Sequence, residues 1–172
     1  MRAMTTTTTK LHVVGALVIG LAGTALADGP QPGQEVTDLK PFGGAWDCRG
    51  KTHDGKAFTA KLTMVAPGEL NGFWYEMKYS RDKTKDAPGF AGHGILGFDT
   101  AHGKYYFTGA DSMGGWAVLV GALQNKVLDL SGQANFGGQV GPFKFKIDAS
   151  GKSGTLVFTS GPNLDDENDC RR

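Results

Sequence analysis

The chain has 172 residues, with 18 Lys and Arg against 17 Asp and Glu, a formal charge of +1. No basic cluster accompanies that balance, which excludes a nucleic-acid partner needing a concentrated Lys/Arg footprint. The first residues read as a secretory signal: Arg2 and Lys10 are basic, residues 11–21 are largely apolar, and Ala25-Leu26-Ala27 forms a small-x-small cleavage pattern before Asp28. The apolar run is too short for a membrane span, which takes roughly 20 residues. An uncleaved anchor is the alternative. The expectation is export to the periplasm or outside, with no membrane span after removal of residues 1–27. That leaves 145 residues and, without two of the bases, a charge of −1. One domain of this size buries a substantial core.

After a Pro/Gly/Gln-rich leader over residues 28–36, Asp38 and Pro41 predict a short helical or 3₁₀ turn ending near Phe42. The barrel domain is expected over residues 37–172. From Trp46 onward the pattern has period two. Trp46, Cys48 and Gly50 alternate with Asp47, Arg49 and Lys51, and Asp54-Gly55 signals a hairpin turn. Phe58, Ala60, Leu62 and Met64 share one face of the next strand. Phe73, Tyr75, Met77 and Tyr79 then alternate with Trp74, Glu76, Lys78 and Ser80. Residues 81–88, RDKTKDAP, read as a solvated loop.

Residues 92–123 predict three further strands. In the third, Trp116, Val118, Val120 and Ala122 share one face, and Ala117, Leu119, Gly121 and Leu123 the other. A strand apolar on both faces is covered on both sides. The N-terminal segment, the C-terminal tail or a second copy of the chain would cover its outer face, the last giving a homodimer. Strands through Leu128, then Phe143, Phe145 and Ile147, then Leu156 and Phe158, complete the set. Residues 163–172 read as an acidic, solvated tail. Short strands at this spacing predict an all-β, single up-and-down antiparallel barrel of about 8–10 strands. The 27 glycines suit the bends that closing a small barrel requires.

The two cysteines, Cys48 and Cys170, most simply form one disulfide in an exported protein, joining the first strand to the tail. The predicted inward residues are Trp46, Phe58, Phe73, Tyr75, Met77, Tyr79, Tyr105, Phe107, Phe143, Phe145 and Phe158. They either fill the barrel or line a pocket for one small apolar ligand. His93 is the polar candidate for that interior. Strict alternation puts it with Ile95, although its flanking glycines permit a register shift through a bulge.

Gly44-Ala45-Trp46, opening the first strand, resembles the Gly-x-Trp signature of lipocalins and related calycins. The central GHGILGFDTAHGKYYFTGADSMGG, with Leu39-Lys40-Pro41-Phe42 before it, resembles a bacterial family of uncharacterised exported or cytosolic domains with lipocalin-like barrels. The resemblance implies an up-and-down barrel and binding of a small hydrophobic molecule. Lipocalins also set an arginine of the last strand against that tryptophan. Residues 155–160 hold none, and the late arginines are Arg171 and Arg172.

Other chemistry is weakly signalled. His53, His93 and His102 lack metal-ligand spacing, and Asp165, Asp166, Glu167 and Asp169 lack that of a calcium loop. Gly151-Lys152-Ser153 joins two strands rather than a strand and a helix, so it reads as a turn and not a phosphate loop. No Gly-x-Ser-x-Gly elbow is present, and the carboxylates Glu76, Asp99, Asp111 and Asp129 carry no spacing that asks for acid–base work. No catalytic residue, metal or cofactor is expected.

Overall fold

The computed structural model describes residues 31–172 except 53, 67–69, 86–88 and 165. The predicted signal peptide and the start of the leader lie outside the described residues. Helix α1 (Gln34–Thr37) and a 3₁₀ turn (Lys40–Phe42) precede ten strands. The first five are β1 (Gly44–Lys51), β2 (Ala57–Val65), β3 (Trp74–Arg81), β4 (Phe90–Asp99) and β5 (Lys104–Asp111). Then come β6 (Trp116–Gln124), β7 (Val127–Phe136), β8 (Gln139–Asp148), β9 (Thr155–Gly161) and β10 (Asp166–Arg171). Each strand pairs antiparallel with its neighbours in sequence, and β10 pairs with β1 to close the barrel. The expected all-β up-and-down barrel with a short N-terminal helix is the architecture found.

Three assignments differ from expectation. The acidic C-terminal segment is the closing strand rather than a solvated tail. In β10, Asn168 and Cys170 are buried while Glu167, Asp169 and Arg171 face out, so a period-two pattern is present but written in polar residues. Arg81 is the last residue of β3 rather than the start of a loop. Gln34 and Glu35, read as leader, already fall in α1, where Val36 is buried.

Cys48 and Cys170 stand opposite each other across the β1–β10 seam and form a disulfide spanning 122 residues of sequence. Near the seam, the Arg172 guanidinium lies 4.0 Å from the centre of the Trp46 ring. Arg172 Nη2 donates to Pro41 O at 3.0 Å and also to Gly43 O. Trp46 Nε1 donates to Phe42 O at 2.9 Å. Three consecutive carbonyls of the N-terminal segment are thus held by two side chains of the barrel. Tyr105 adds a fourth tie, its hydroxyl donating to Glu35 O at 2.8 Å.

Those ties seat Val36, Leu39 and Phe42, all buried, over one end of the barrel. Beneath them Trp46, Leu62, Met64, Leu96, Leu128 and Ile147 fill the interior. This end is a packed core. The outer face of β6 carries Trp116, Val118 and Val120, each about two-fifths exposed, whereas Leu119 points inward and is buried.

Reducing the disulfide, or replacing both cysteines with Ala, is expected to lower unfolding free energy by roughly 3–5 kcal/mol on the chain-entropy account. Denaturant melts of the oxidised and reduced protein measure this, and coincident curves would contradict it. Arg172→Ala is expected to cost about 1–3 kcal/mol by removing two charge-assisted hydrogen bonds and the cation–π contact. The same melts read that loss.

Candidate functional site

Opposite the sealed end, the barrel interior is hollow. A cavity of about 570 Å³ opens between the ends of β3 to β10, within the range of sites for small organic ligands, about 300–1,000 Å³. Its size follows from the side chains. Gly92 and Gly94 on β4, Gly109 on β5 and Ala117 on β6 are inward positions that place almost nothing in the barrel. Phe107 uses part of that space: its ring lies where a Cβ at Gly94 or Gly109 would come, at 2.7 and 2.9 Å.

Aromatic rings form one continuous wall. Tyr79 contacts Phe90 and Phe158 with ring centres 6.1 and 5.4 Å apart. Phe158 meets Phe145 at 4.8 Å edge to face, and Phe145 meets Phe107 at 5.5 Å. Nearer the mouth, Phe136 and Phe143 lie 4.9 Å apart. Polar groups concentrate on the β3, β9 and β10 side. The Tyr79 hydroxyl donates to Asn168 Oδ1 at 3.1 Å. Asn168, buried, donates from Nδ2 to Phe158 O at 3.3 Å. Arg81, Ser160 and Asp166 complete that side.

The structure divides the expected interior residues into two groups. Met77, Tyr79, Phe107, Phe143, Phe145 and Phe158 line the cavity. Trp46, Tyr75 and Tyr105 are buried in the filled half, and Phe58 is buried beside Gly50, clear of the cavity. Phe73 precedes β3 and is half-buried. His93 lies along the cavity wall, but its side chain is not part of the interior. It pairs with Lys78 in register, faces outward without a bulge, and places Nε2 2.8 Å from Glu76 Oε1. Lys78 and His93 together hold the Glu76 carboxyl below its usual range, Lys78 contributing more.

Sequence reasoning missed Arg81, Phe90, Asn168 and the inward glycines. The glycines left a signal: Gly92 and Gly94 continue the face of Leu96, and Gly109 that of Phe107. A run of glycines on an inward face marks missing volume. The remaining carboxylates lie in turns or on the surface, Asp111 also bordering the cavity mouth. Asp99 Oδ1 accepts from Ala101 and His102 N, Asp111 Oδ1 accepts from Met113 and Gly115 N, and Asp129 is exposed. Among the described residues no group of three or more His, Cys, Asp or Glu is placed to hold a metal.

The chain belongs to a family of proteins of unknown function, DUF1579, whose profile matches residues 31–168. Among solved structures it is similar to a de novo designed fluorescence-activating β-barrel, at 16% identity and a TM-score of 0.39. That match covers 78% of this chain and 97% of the designed one. No curated protein matches.

Burial pushes the Tyr79 phenol from 10.0 up to about 12, with Arg81 opposing the shift and Asp166 adding to it. Burial likewise lifts Tyr105 to about 12, helped by Asp38 and Glu35. A folded value above the unfolded one means stability that is complete below pH 10 and lost as pH rises towards 12. Unfolding free energy is therefore expected to fall across that window, and Tyr79→Phe to reduce the slope. Melts against pH, with tyrosinate absorbance, check both. A flat profile would contradict the burial of the two phenols.

Proposed function

We propose that this protein is an exported binding protein that holds one small, predominantly apolar ligand in the open half of its barrel. The observation that carries the reading is the cavity itself, about 570 Å³, walled by aromatic rings and bordered by the small inward residues Gly92 and Ala117. A ready-made apolar pocket with a few convergent polar groups is the usual form of a small-molecule site. The Cys48–Cys170 bridge supports an oxidising compartment, in keeping with the signal-like N-terminus. Arg172, one residue beyond β10, stacks on Trp46, which supports the lipocalin-like reading despite the lack of an arginine within residues 155–160.

The neutral fluorescent probe N-phenyl-naphthylamine tests the reading. Saturable binding of one probe per chain is expected, with a blue-shifted emission. Gly92→Leu fills the cavity: the Cβ at Gly92 meets the Phe90 ring at an ordinary 3.4 Å, so the fold is retained while affinity drops at least about tenfold, as expected when a binding volume is occupied. No binding by the natural chain, or equal binding by Gly92→Leu, would overturn the proposal.

The exposed row Trp116, Val118 and Val120 favours a second reading, in which two copies pair through the outer face of β6. Val118→Lys is expected to shift sedimentation to the monomer. A monomer at every concentration in the natural chain would remove this reading.

A further inference from the structure

Arg81 ends β3 opposite Ala60 on β2 and Phe90 on β4, and its side chain faces the cavity mouth. The guanidinium lies near the Phe58 and Phe90 rings, 5.2 and 5.9 Å from their centres. Its Nε is sealed from solvent without a hydrogen-bond partner, and Arg81 takes part in none of the ion pairs found among the described residues. Neighbouring aromatic faces stabilise the positive charge but supply no oxygen to its N–H edge. An arginine is always charged, and its planar fork of donors matches the two oxygens of a carboxylate or sulfonate. Burying such a donor without an acceptor is costly unless a partner arrives.

His93 also borders the cavity but turns its ring outward to Glu76, and the remaining charged groups at the mouth are two carboxylates. Asp111 is held by its turn through Met113 and Gly115 N. Asp166 lines the same opening and has partners of its own. Both repel an anion from the β5 and β10 sides, which leaves the β3–β4 side as the favourable seat. Tyr79, Phe158 and Phe145 lie inward of that seat. A ligand with its oxyanion on Arg81 would thus lay an apolar body along the aromatic wall.

We propose that the ligand is an amphipathic acid, an apolar body carrying one carboxylate-type oxyanion that pairs with Arg81 at the cavity mouth. This rests on the cavity being the binding site, and the test separates the two claims. Two probes share one ring skeleton: N-phenyl-naphthylamine is neutral, and anilinonaphthalene sulfonate carries a single oxyanion. With the full chain and its disulfide formed, the sulfonate is expected to bind at least about tenfold more tightly than the neutral probe, as a charge-assisted pair implies. Arg81→Met should erase that preference while neutral-probe affinity stays within about twofold, which also shows that the variant keeps its cavity. Arg81→Lys, which retains charge but loses the fork, should fall between them. Equal affinities in the natural chain, or a preference that survives Arg81→Met, would overturn the role of Arg81 and leave the cavity reading standing. If neither probe binds the natural chain, the cavity reading fails and this one with it. Should Arg81→Met lose the neutral probe as well, the ratio in the natural chain and the Arg81→Lys result decide.

Discussion

The structure depends on one seam. Ten strands of alternating hydrophobicity form a barrel only if β1 meets β10, and β10 has little apolar surface to hold it there. Asn168 and Cys170 are its buried side chains. Covalent and charge-assisted contacts do what burial cannot. The Cys48–Cys170 bridge fixes the register of the seam, and Arg172 clamps the chain end to Trp46 and to the backbone at Pro41 and Gly43. An arginine stacked on an aromatic ring keeps its hydrogen-bonding edge available. One side chain therefore joins the last strand, the first strand and the N-terminal segment.

Sealing that end has a consequence for the other. Val36, Leu39 and Phe42 complete a core in which Leu62, Leu96, Leu128 and Ile147 have no measurable exposure. Large side chains are concentrated there, and along β4 and β5 the inward face passes from Leu96 and Tyr105 to Gly94, Gly92 and Gly109. Gly94 and Gly109 make way for the Phe107 ring, whereas Gly92 leaves room that a larger side chain could fill, and an unfilled apolar interior loses packing contacts. The rings that remain, from Phe107 through Phe145 and Phe158 to Tyr79, touch one another rather than closing the space. One half of the barrel is plugged, and the other half is open.

Much of the fold was legible in the chain. Strict alternation from Trp46 through Phe158 and turns such as Asp54-Gly55 are strong period-two signals, and β1 to β9 carry them out. The closing strand was hidden because its alternation uses Asn, Asp and Glu, whose composition imitates a solvated tail. The site was half legible. Phe145, Phe158 and Tyr79 stood out as inward aromatics, yet alternation gives a side chain's face and not its depth along the barrel. It therefore could not separate the packed Tyr75 and Tyr105 from the lining Phe107 and Phe143. Arg81 was taken for loop because it opens a charged run, whereas its parity with Met77 and Tyr79 places it inside. His93 shows the converse. The rule of alternation was right: pairing runs through Gly92, His93 and Gly94 without a bulge, and Gly94 makes room for the Phe107 ring.

The central claim is that one half of the barrel is closed and the other half receives a ligand. Backbone amide shifts in an NMR titration with N-phenyl-naphthylamine test it most directly, since they report position along the barrel. The account predicts large, saturating shifts at Gly92, Gly94, Gly109 and Ala117, with Leu62, Leu96 and Leu128 nearly unmoved. Shifts centred on Val118 and Val120 on the outer face, or spread through the sealed core, would contradict it.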